Sequence, residues 1–167
     1  EFTNKLHVIL GLLQLGENRQ AEEYVLRLTK TRAHSISYIS ERIQEPSVAA
    51  LLIGKSYRAA ELGIRFVLDP ASELRGDGQY LPASSLITIL GNLTENAFDA
   101  LRSAPENAQK EVTVSIREGE HGMLISVDDS GAGIAADKLD RIFERGFSTK
   151  GEGRGTGLSL VKETVDA

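Results

Sequence analysis

The chain contains no cysteine among its 167 residues, so it can form neither a disulfide nor a thiolate nucleophile. This absence fits a reducing compartment. Only three histidines are present, and they are scattered, so a structural zinc site is not expected. No apolar run approaches the roughly 20 residues that a membrane-spanning helix needs. Basic residues are not in excess, since 19 Lys and Arg face 24 Asp and Glu, and a nucleic-acid-binding surface is not expected.

The bulk composition is that of a globular protein, with 41% hydrophobic and 26% charged residues. The length suits one ordinary domain, or a small domain with a helical appendage. Glu1 and Ala167 both lie inside helical patterns. We therefore expect the sequence to be a piece of a longer protein.

The first 45 residues carry two helical patterns. The first is an amphipathic stripe with a coiled-coil-like spacing, broken at Gly16: Phe2, Leu6, Ile9 and Leu13. The second should end at Pro46, and its stripe is Val25, Leu28, Ile36, Ile39 and Ile43. Together they predict an antiparallel hairpin, which we expect to pair with a second copy as a dimeric four-helix bundle. The alternative is that the stripes pack on the rest of the chain.

Residues 46–167 read as an α+β domain, so the predicted domains are 1–45 and 46–167. Ser47 is predicted to cap a helix from Val48 to Leu62 that Gly63 ends. The other predicted elements follow in chain order: a strand at 64–68, a turn-rich loop at 69–78, a long helix at 81–101, strands at 112–116 and 124–127 around a hairpin turn at 118–122, a short helix at 135–143, and a mobile glycine-rich loop at 146–157.

Two glycine motifs carry the functional signal. Asp129-Ser130-Gly131-Ala132-Gly133 follows an apolar, β-rich run, and Gly153-Arg154-Gly155-Thr156-Gly157-Leu158 opens into a helical pattern. Glycines let a backbone approach a ligand, and a helix N-terminus presents N–H groups to an anion. A carboxylate suits a neutral amino group instead. The pair therefore predicts a nucleotide site.

Asn92 and Asn96 lie four residues apart on the long predicted helix and so share a face. Amide groups can donate to phosphate oxygens, and an amide oxygen can ligate Mg²⁺. Paired asparagines alone are a weak signal. They gain meaning from their position before the carboxylate–glycine loop.

Four segments in this order resemble the N, G1, F and G2 boxes of sensor histidine kinases: 92–97, 129–133, 143–150 and 153–158. Residues 1–13 are similar to the phosphoacceptor segment of the citrate and C4-dicarboxylate sensor kinases. The resemblance implies a GHKL (Bergerat-type) α/β sandwich that binds ATP, preceded by the dimerising hairpin. It also implies two further strands beyond Ala167, so the sheet here would be C-terminally truncated.

The resemblance also implies site roles. Asp129 would accept a hydrogen bond from the adenine amino group in a pocket shaped by Gly131 and Gly133. Asn96 would ligate Mg²⁺, supported by Asn92. The remaining nucleotide contacts would come from the lid and the second glycine motif: Lys150, Gly153, Gly155, Thr156, Gly157 and Leu158.

In the resembled family the phosphorylated histidine stands directly before the position of Glu1. Glu1 would then accept a proton during phosphorylation, and Asn4 would orient water when a regulator is dephosphorylated. His7 lies two helical turns further on and is interpreted as a surface residue.

The implied function is a protein histidine kinase with ATP and Mg²⁺ as cofactors, in the cytoplasmic portion of an inner-membrane sensor. Its partners would be a second copy and the receiver domain of a response regulator, with no nucleic acid and with membrane contact only through an N-terminal sensor region. Two alternatives stay open: a phosphotransferase or scaffold that does not bind ATP, and a GHKL ATPase that hydrolyses ATP directly.

Overall fold

The computed structural model describes residues 2–29, 34–76, 80–105, 108–120, 122–147 and 155–167, without the side chains of 2–4, 26–29 and 34–35. Its elements in chain order are α1 (Phe2–Gln14), α2 (Asn18–Thr29), α3 (His34–Arg42), α4 (Pro46–Glu61), β1 (Arg65–Leu68), α5 (Ala83–Arg102), β2 (Glu111–Gly119), β3 (Gly122–Asp129), a 3₁₀ helix (Ala136–Arg141) and α6 (Gly157–Asp166). None of the described helices combines the length and apolar character needed to cross a membrane.

In the described part of the chain, the strands form one sheet in the order β1–β2–β3. β1 is parallel to β2, with Phe66 opposite Val112, and β2 is antiparallel to β3. The parallel pair requires a crossover connection, which α5 provides. This arrangement places α4 and α5 against one face of the sheet, with α6 packed on α5.

The core lies between the two long helices and the sheet. Alternate residues of β2, namely Val112, Val114 and Ile116, point into it and are fully buried. α5 contributes a stripe of buried residues at helical spacing, including Leu90 and Phe98. The mixed α+β content and the helix-on-sheet layers confirm the predicted class of the second part of the chain.

The second predicted helical pattern does not extend to Pro46. α2 ends at Thr29, residues 30–33 lie outside the described part, and α3 ends at Arg42. Pro46 begins α4 instead of ending the helix before it. Proline suits this first position because its fixed φ is helical and the first N–H of a helix has no partner within it.

Glu45, not Ser47, caps α4. The Glu45 side chain accepts a hydrogen bond from the backbone N–H of Val48 at 2.6 Å, with Glu45 itself in an extended conformation. Ser47 lies inside the first turn and is exposed. The predicted C-terminal signal is confirmed, since Gly63 adopts φ +69 directly after the helix end.

The loop predicted at 69–78, described as far as Gly76, contains pairing that the sequence pattern did not indicate. Leu74 bridges to Ile43, and Glu73 bridges to Arg117 on β2. The backbone N–H of Gln44 donates to Leu74 O at 2.8 Å, and Leu74 N–H donates to Arg42 O at 3.0 Å. The residues between α3 and α4 are thereby joined through this loop to the sheet.

The strands of the β2–β3 hairpin are longer than predicted, and its turn is shorter. Pairing continues through Glu118 opposite Met123 to Gly119 opposite Gly122, so two residues connect the strands instead of the predicted 118–122 turn. Two-residue connections are the commonest in β-hairpins. The predicted helix at 135–143 is the six-residue 3₁₀ helix, and the predicted helix at 81–101 begins at Ala83 because Pro82 is extended.

α1 and α2 are joined by a turn at Gly16, whose φ is +76. Leu6, Leu10 and Leu13 on α1 are each about half exposed. The dimeric bundle and the domain boundary after residue 45 stay predictions. Ile39 and Ile43 precede that boundary but are buried in the same core as α4 and the sheet.

The cap of α4 can be tested with two neighbouring substitutions. We expect Glu45→Ala to lower the free energy of unfolding by about 1 kcal/mol, because the Val48 N–H loses its partner. Ser47→Ala is the matched control and should change it by less than about 0.5 kcal/mol. Urea denaturation of both variants measures this, and a larger loss for Ser47→Ala would contradict the assignment.

Candidate functional site

A cavity of about 500 Å³ opens between the C-terminal half of α5, the segment after β3 and the start of α6. Its apolar lining includes Leu93, Ala97 and Val127, and its polar lining includes Asn96 and Asp129. An apolar cavity with a few polar groups is the usual character of a small-molecule site.

Asp129 reaches the cavity because of the alternation of β3. It pairs with Val112 and lies two residues after Val127, so it shares the face that packs toward α5. It is also the last residue of the strand, where the sheet ends and the side chain is exposed. The predicted carboxylate therefore lies at the rim of the core.

The glycines after Asp129 are required by the geometry of the turn. Asp129 Oδ1 accepts a hydrogen bond from Gly131 N–H at 2.8 Å. A Cβ atom on Gly131 would lie 2.6 Å from that same oxygen, so a side chain would displace the carboxylate. Gly133 adopts φ +75, a conformation that favours glycine, and it lines the cavity.

The two asparagines of α5 occupy different places. Asn96 lines the cavity, and Asp99 follows it on the same wall. Asn92 does not line the cavity: its Nδ2 donates to Thr88 O at 2.7 Å, and its Oδ1 would be 3.0 Å from a Cβ on Gly157. Asn92 therefore packs against the start of α6 instead of facing the cavity beside Asn96.

The N-terminus of α6 forms another wall. Gly155, Gly157 and Leu158 line the cavity, whereas Thr156, the N-cap residue, does not and makes no side-chain capping hydrogen bond. The first N–H groups of a helix lack partners within it, and they attract anions. Gly155 has φ +108, and its carbonyl accepts a hydrogen bond from Gly146 N–H at 3.0 Å.

Sequence reasoning missed the contribution of the 3₁₀ helix. Lys138 on this helix is half-buried and lines the cavity, as does Ile142 just after it. The one available signal was a lysine soon after the carboxylate–glycine loop. Phe147 also lines the cavity, and the Arg141 guanidinium lies 4.6 Å from its ring centroid.

Several predicted site residues lie outside the described part: Glu1, Lys150 and Gly153, together with the side chain of Asn4. The same holds for residues 148–154 of the loop predicted to be mobile. Their roles stay predictions.

An ion pair holds α5 beside α4 at the level of the cavity. Lys55 Nζ lies 2.5 Å from Glu95 Oε1, and the Lys55 side chain is only 14% exposed. Glu95 directly precedes Asn96. Glu95 is 53% exposed, so the pair links α4 to α5 near the surface, one residue before Asn96 on the cavity wall.

Residues 82–167 match the family described as histidine kinase-, DNA gyrase B-, and HSP90-like ATPase. The chain belongs to this family.

The chain is similar to several proteins that are named as sensor kinases or sensor proteins. The chain is 45% identical over 167 residues to the sensor histidine kinase DcuS of Escherichia coli (strain K12), and 40% identical over 170 residues to the sensor protein CitS of Bacillus subtilis (strain 168). Each match covers 99% of this chain and 30% of the relative. A probable C4-dicarboxylate sensor kinase of Halalkalibacterium halodurans is 36% identical, with 99% of this chain and 31% of that relative covered. These matches confirm the resemblance to sensor histidine kinases that the four motifs indicated.

The part matched to the ATPase family begins just before α5 and so contains every element that lines the cavity. The structure brings Asn96, Asp129, Gly133, Gly155, Gly157 and Leu158 together in one cavity. The Gly131 N–H donates to Asp129 Oδ1, and the Asn92 side chain lies next to Gly157. The candidate site is therefore this cavity, which lies wholly within the part of the chain matched to the ATPase family.

Two cavity glycines with positive φ differ in their surroundings. A Cβ on Gly133 would meet open space, whereas a Cβ on Gly155 would overlap the backbone carbonyl of Phe147. We expect Gly133→Ala to lower the free energy of unfolding by about 1 kcal/mol through φ strain alone. Gly155→Ala should lower it more, because strain and overlap add. Urea denaturation of both variants measures the difference, and the reverse order would show that the loop at Gly155 relaxes freely.

Proposed function

We propose that the cavity binds Mg-ATP and that this chain is the catalytic part of a sensor histidine kinase. The observation that carries the proposal is the joint placement of three groups in one cavity: the Asp129 carboxylate, the amide of Asn96 and the N-terminus of α6. The carboxylate suits an amino substituent, the amide suits a divalent cation, and the helix N-terminus suits phosphates. The chain spans about 30% of the length of the curated relatives it matches, so the activity of the whole protein belongs to this proposal.

The purine would lie on the apolar lining formed by Leu93, Ala97 and Val127, with its 6-amino group directed at Asp129. Asp129 Oδ1 already accepts from Gly131, so Oδ2 is the oxygen suited to the base. The triphosphate would extend toward Gly155 and Gly157 at the start of α6, where backbone N–H groups can donate to its oxygens.

The residues present fit a magnesium ion. The cavity wall offers the amide oxygen of Asn96 and the carboxylate of Asp99, and Mg²⁺ prefers hard oxygen ligands. Within the described residues there is no cluster of three or more His, Cys, Asp or Glu that would hold a metal without the nucleotide. Asn96 would hold the ion, which supplies neutralisation of phosphate charge when bound. Lys138 adds a cation to the same cavity, and Lys150 would add another from the lid.

Phosphoryl transfer requires mainly positioning and charge neutralisation from the protein. The bond between the γ-phosphorus and the β,γ-bridging oxygen would break, and a bond from that phosphorus to an imidazole nitrogen would form, with ADP leaving. The acceptor would be the histidine that the family resemblance places directly before Glu1. Glu1 would take the imidazole proton. The phosphoryl group would then pass to an aspartate of a response-regulator receiver domain.

Asn92 supports a kinase over a hydrolase. An enzyme of this superfamily that hydrolyses ATP directly needs a glutamate at that position to activate water. The Asn92 amide cannot serve as a base, and its nitrogen is bound to Thr88 O. Rapid ATP hydrolysis without a phosphohistidine would favour the ATPase, and lack of Mg-ATP affinity would favour the scaffold.

The helices before residue 45 would provide the homodimer. α1 exposes Leu6, Leu10 and Leu13 at helical spacing, and an apolar stripe of this kind needs a partner surface. A second copy packing as a four-helix bundle would bury it. The same bundle would present the acceptor histidine to the receiver domain.

Replacement of Asp129 tests the base contact. We expect Asp129→Ala to lower Mg-ATP affinity by about a hundredfold, because the bound amino group loses a charged acceptor. Asp128→Ala is the matched control, since Asp128 lies on the opposite face of β3, where it accepts from Ser126 Oγ. Isothermal titration calorimetry measures both affinities. Unchanged affinity in Asp129→Ala would refute the assignment.

Replacement of Asn96 tests the metal contact. We expect Asn96→Ala to weaken ATP binding about tenfold in the presence of Mg²⁺ and much less in its absence, because the lost amide oxygen acts through the ion. The comparison is made by titrating the same variant with ATP in magnesium and in EDTA. Equal losses under both conditions would show that Asn96 is no metal ligand.

A further inference from the structure

The side chain of Ser130 joins the end of β3 to the beginning of β2. Its Oγ donates a hydrogen bond to Gln109 O at 2.8 Å and accepts one from Glu111 N–H at 2.9 Å. The backbone N–H of Ser130 also donates to Glu111 O at 3.1 Å. A hydroxyl can fill both places because it is a donor and an acceptor at once. Three hydrogen bonds thus converge on the residue that follows Asp129.

These bonds define where the strand ladder stops and the cavity loop begins. Asp129 is the last residue of β3 and pairs with Val112. Beyond it, the chain must leave the sheet to form the turn in which Gly131 N–H binds Asp129 Oδ1. Ser130 is the residue between these two points, and its hydrogen bonds fix the backbone there. The Asp129 carboxylate is consequently positioned by the strand pairing that precedes it and by the Gly131 turn that follows it.

We infer that Ser130 is a positioning residue that sets the base selectivity of the site by holding the Asp129 carboxylate in line with the purine 6-substituent. The inference rests on the proposed function, in which Asp129 accepts from the 6-amino group of adenine. Hydrogen bonds weaken steeply with misalignment, so a small shift of the carboxylate affects this contact most. The phosphate contacts lie on α6, a separate element, and would be unaffected.

A purely structural role for Ser130 predicts a different result. General loosening of the loop would weaken the binding of every nucleotide by the same factor. A positioning role weakens the binding of ATP while leaving that of ITP nearly unchanged, because inosine carries a 6-oxo group that cannot donate to Asp129. The ratio of the two affinities therefore separates the two roles, and it does not depend on how much the variant loses in overall stability.

The test measures Mg-ATP and Mg-ITP affinities of the purified wild type, Ser130→Ala and Ser130→Thr by calorimetry. We expect the ratio of ATP affinity to ITP affinity to fall about three- to tenfold in Ser130→Ala, the size of about one hydrogen bond. Ser130→Thr keeps the hydroxyl and should restore the ratio. Ser126→Ala is the matched control on the same strand, because Ser126 Oγ binds Asp128 Oδ2 on the other face of the sheet.

The outcomes separate the inference from the function on which it rests. An unchanged ratio in Ser130→Ala, or an equal loss of ATP and ITP binding, overturns the positioning role while leaving the nucleotide site intact. A ratio that falls equally in Ser126→Ala, or that Ser130→Thr fails to restore, also overturns it. Lack of ATP binding in the wild type overturns the proposed function itself. Lack of any preference for ATP over ITP in the wild type overturns the contact between Asp129 and the 6-amino group, and with it the inference.

Discussion

Helix α5 can face the core on one side only, and this constraint places the whole candidate site. Its buried stripe, which includes Leu90, Phe98 and Leu101, packs toward the fully buried residues of β2. The 3.6-residue period then turns Asn96 and Asp99 away from the core and onto the cavity wall. The Lys55–Glu95 ion pair adds a contact from α4 to the same part of α5. Loss of this packing would disperse the cavity groups even if each residue were kept.

Periodicity was sufficient to predict the features that depend on neighbours in sequence. The alternation of β3 that carries Val127 inward also carries Asp129 to the same face, so the position of the carboxylate follows from the strand assignment. The long helix was predicted to within two residues at each end, because its apolar stripe is regular. The order of the four motifs predicted that the first glycine motif, the asparagine helix and the start of α6 share one site. Residues of all three elements line the cavity, and their roles stay predictions.

Features that depend on contacts across the chain could not be predicted in this way. Glu45 and Ser47 are both able to cap a helix, and only the backbone conformation around Pro46 decides between them. Leu74 and Ile43 lie far apart in sequence, and no local pattern indicated that they would form a bridge. Lys138 carries no motif, and its place at the cavity follows from the 3₁₀ helix folding back over the site. In each case, a choice among locally equivalent residues was decided by tertiary structure.

The backbone pairing of Arg42–Gln44 with Leu74 has a consequence for the way the protein unfolds. The end of α3 cannot fray independently, because its release would break the bonds at Leu74 and withdraw Ile43 from the core. The last turn of α3 is therefore tied to the sheet, and we expect its amide hydrogens to exchange together with those of the sheet. Ile43 thus belongs to the same core as α4 and the sheet, although it precedes the boundary predicted after residue 45.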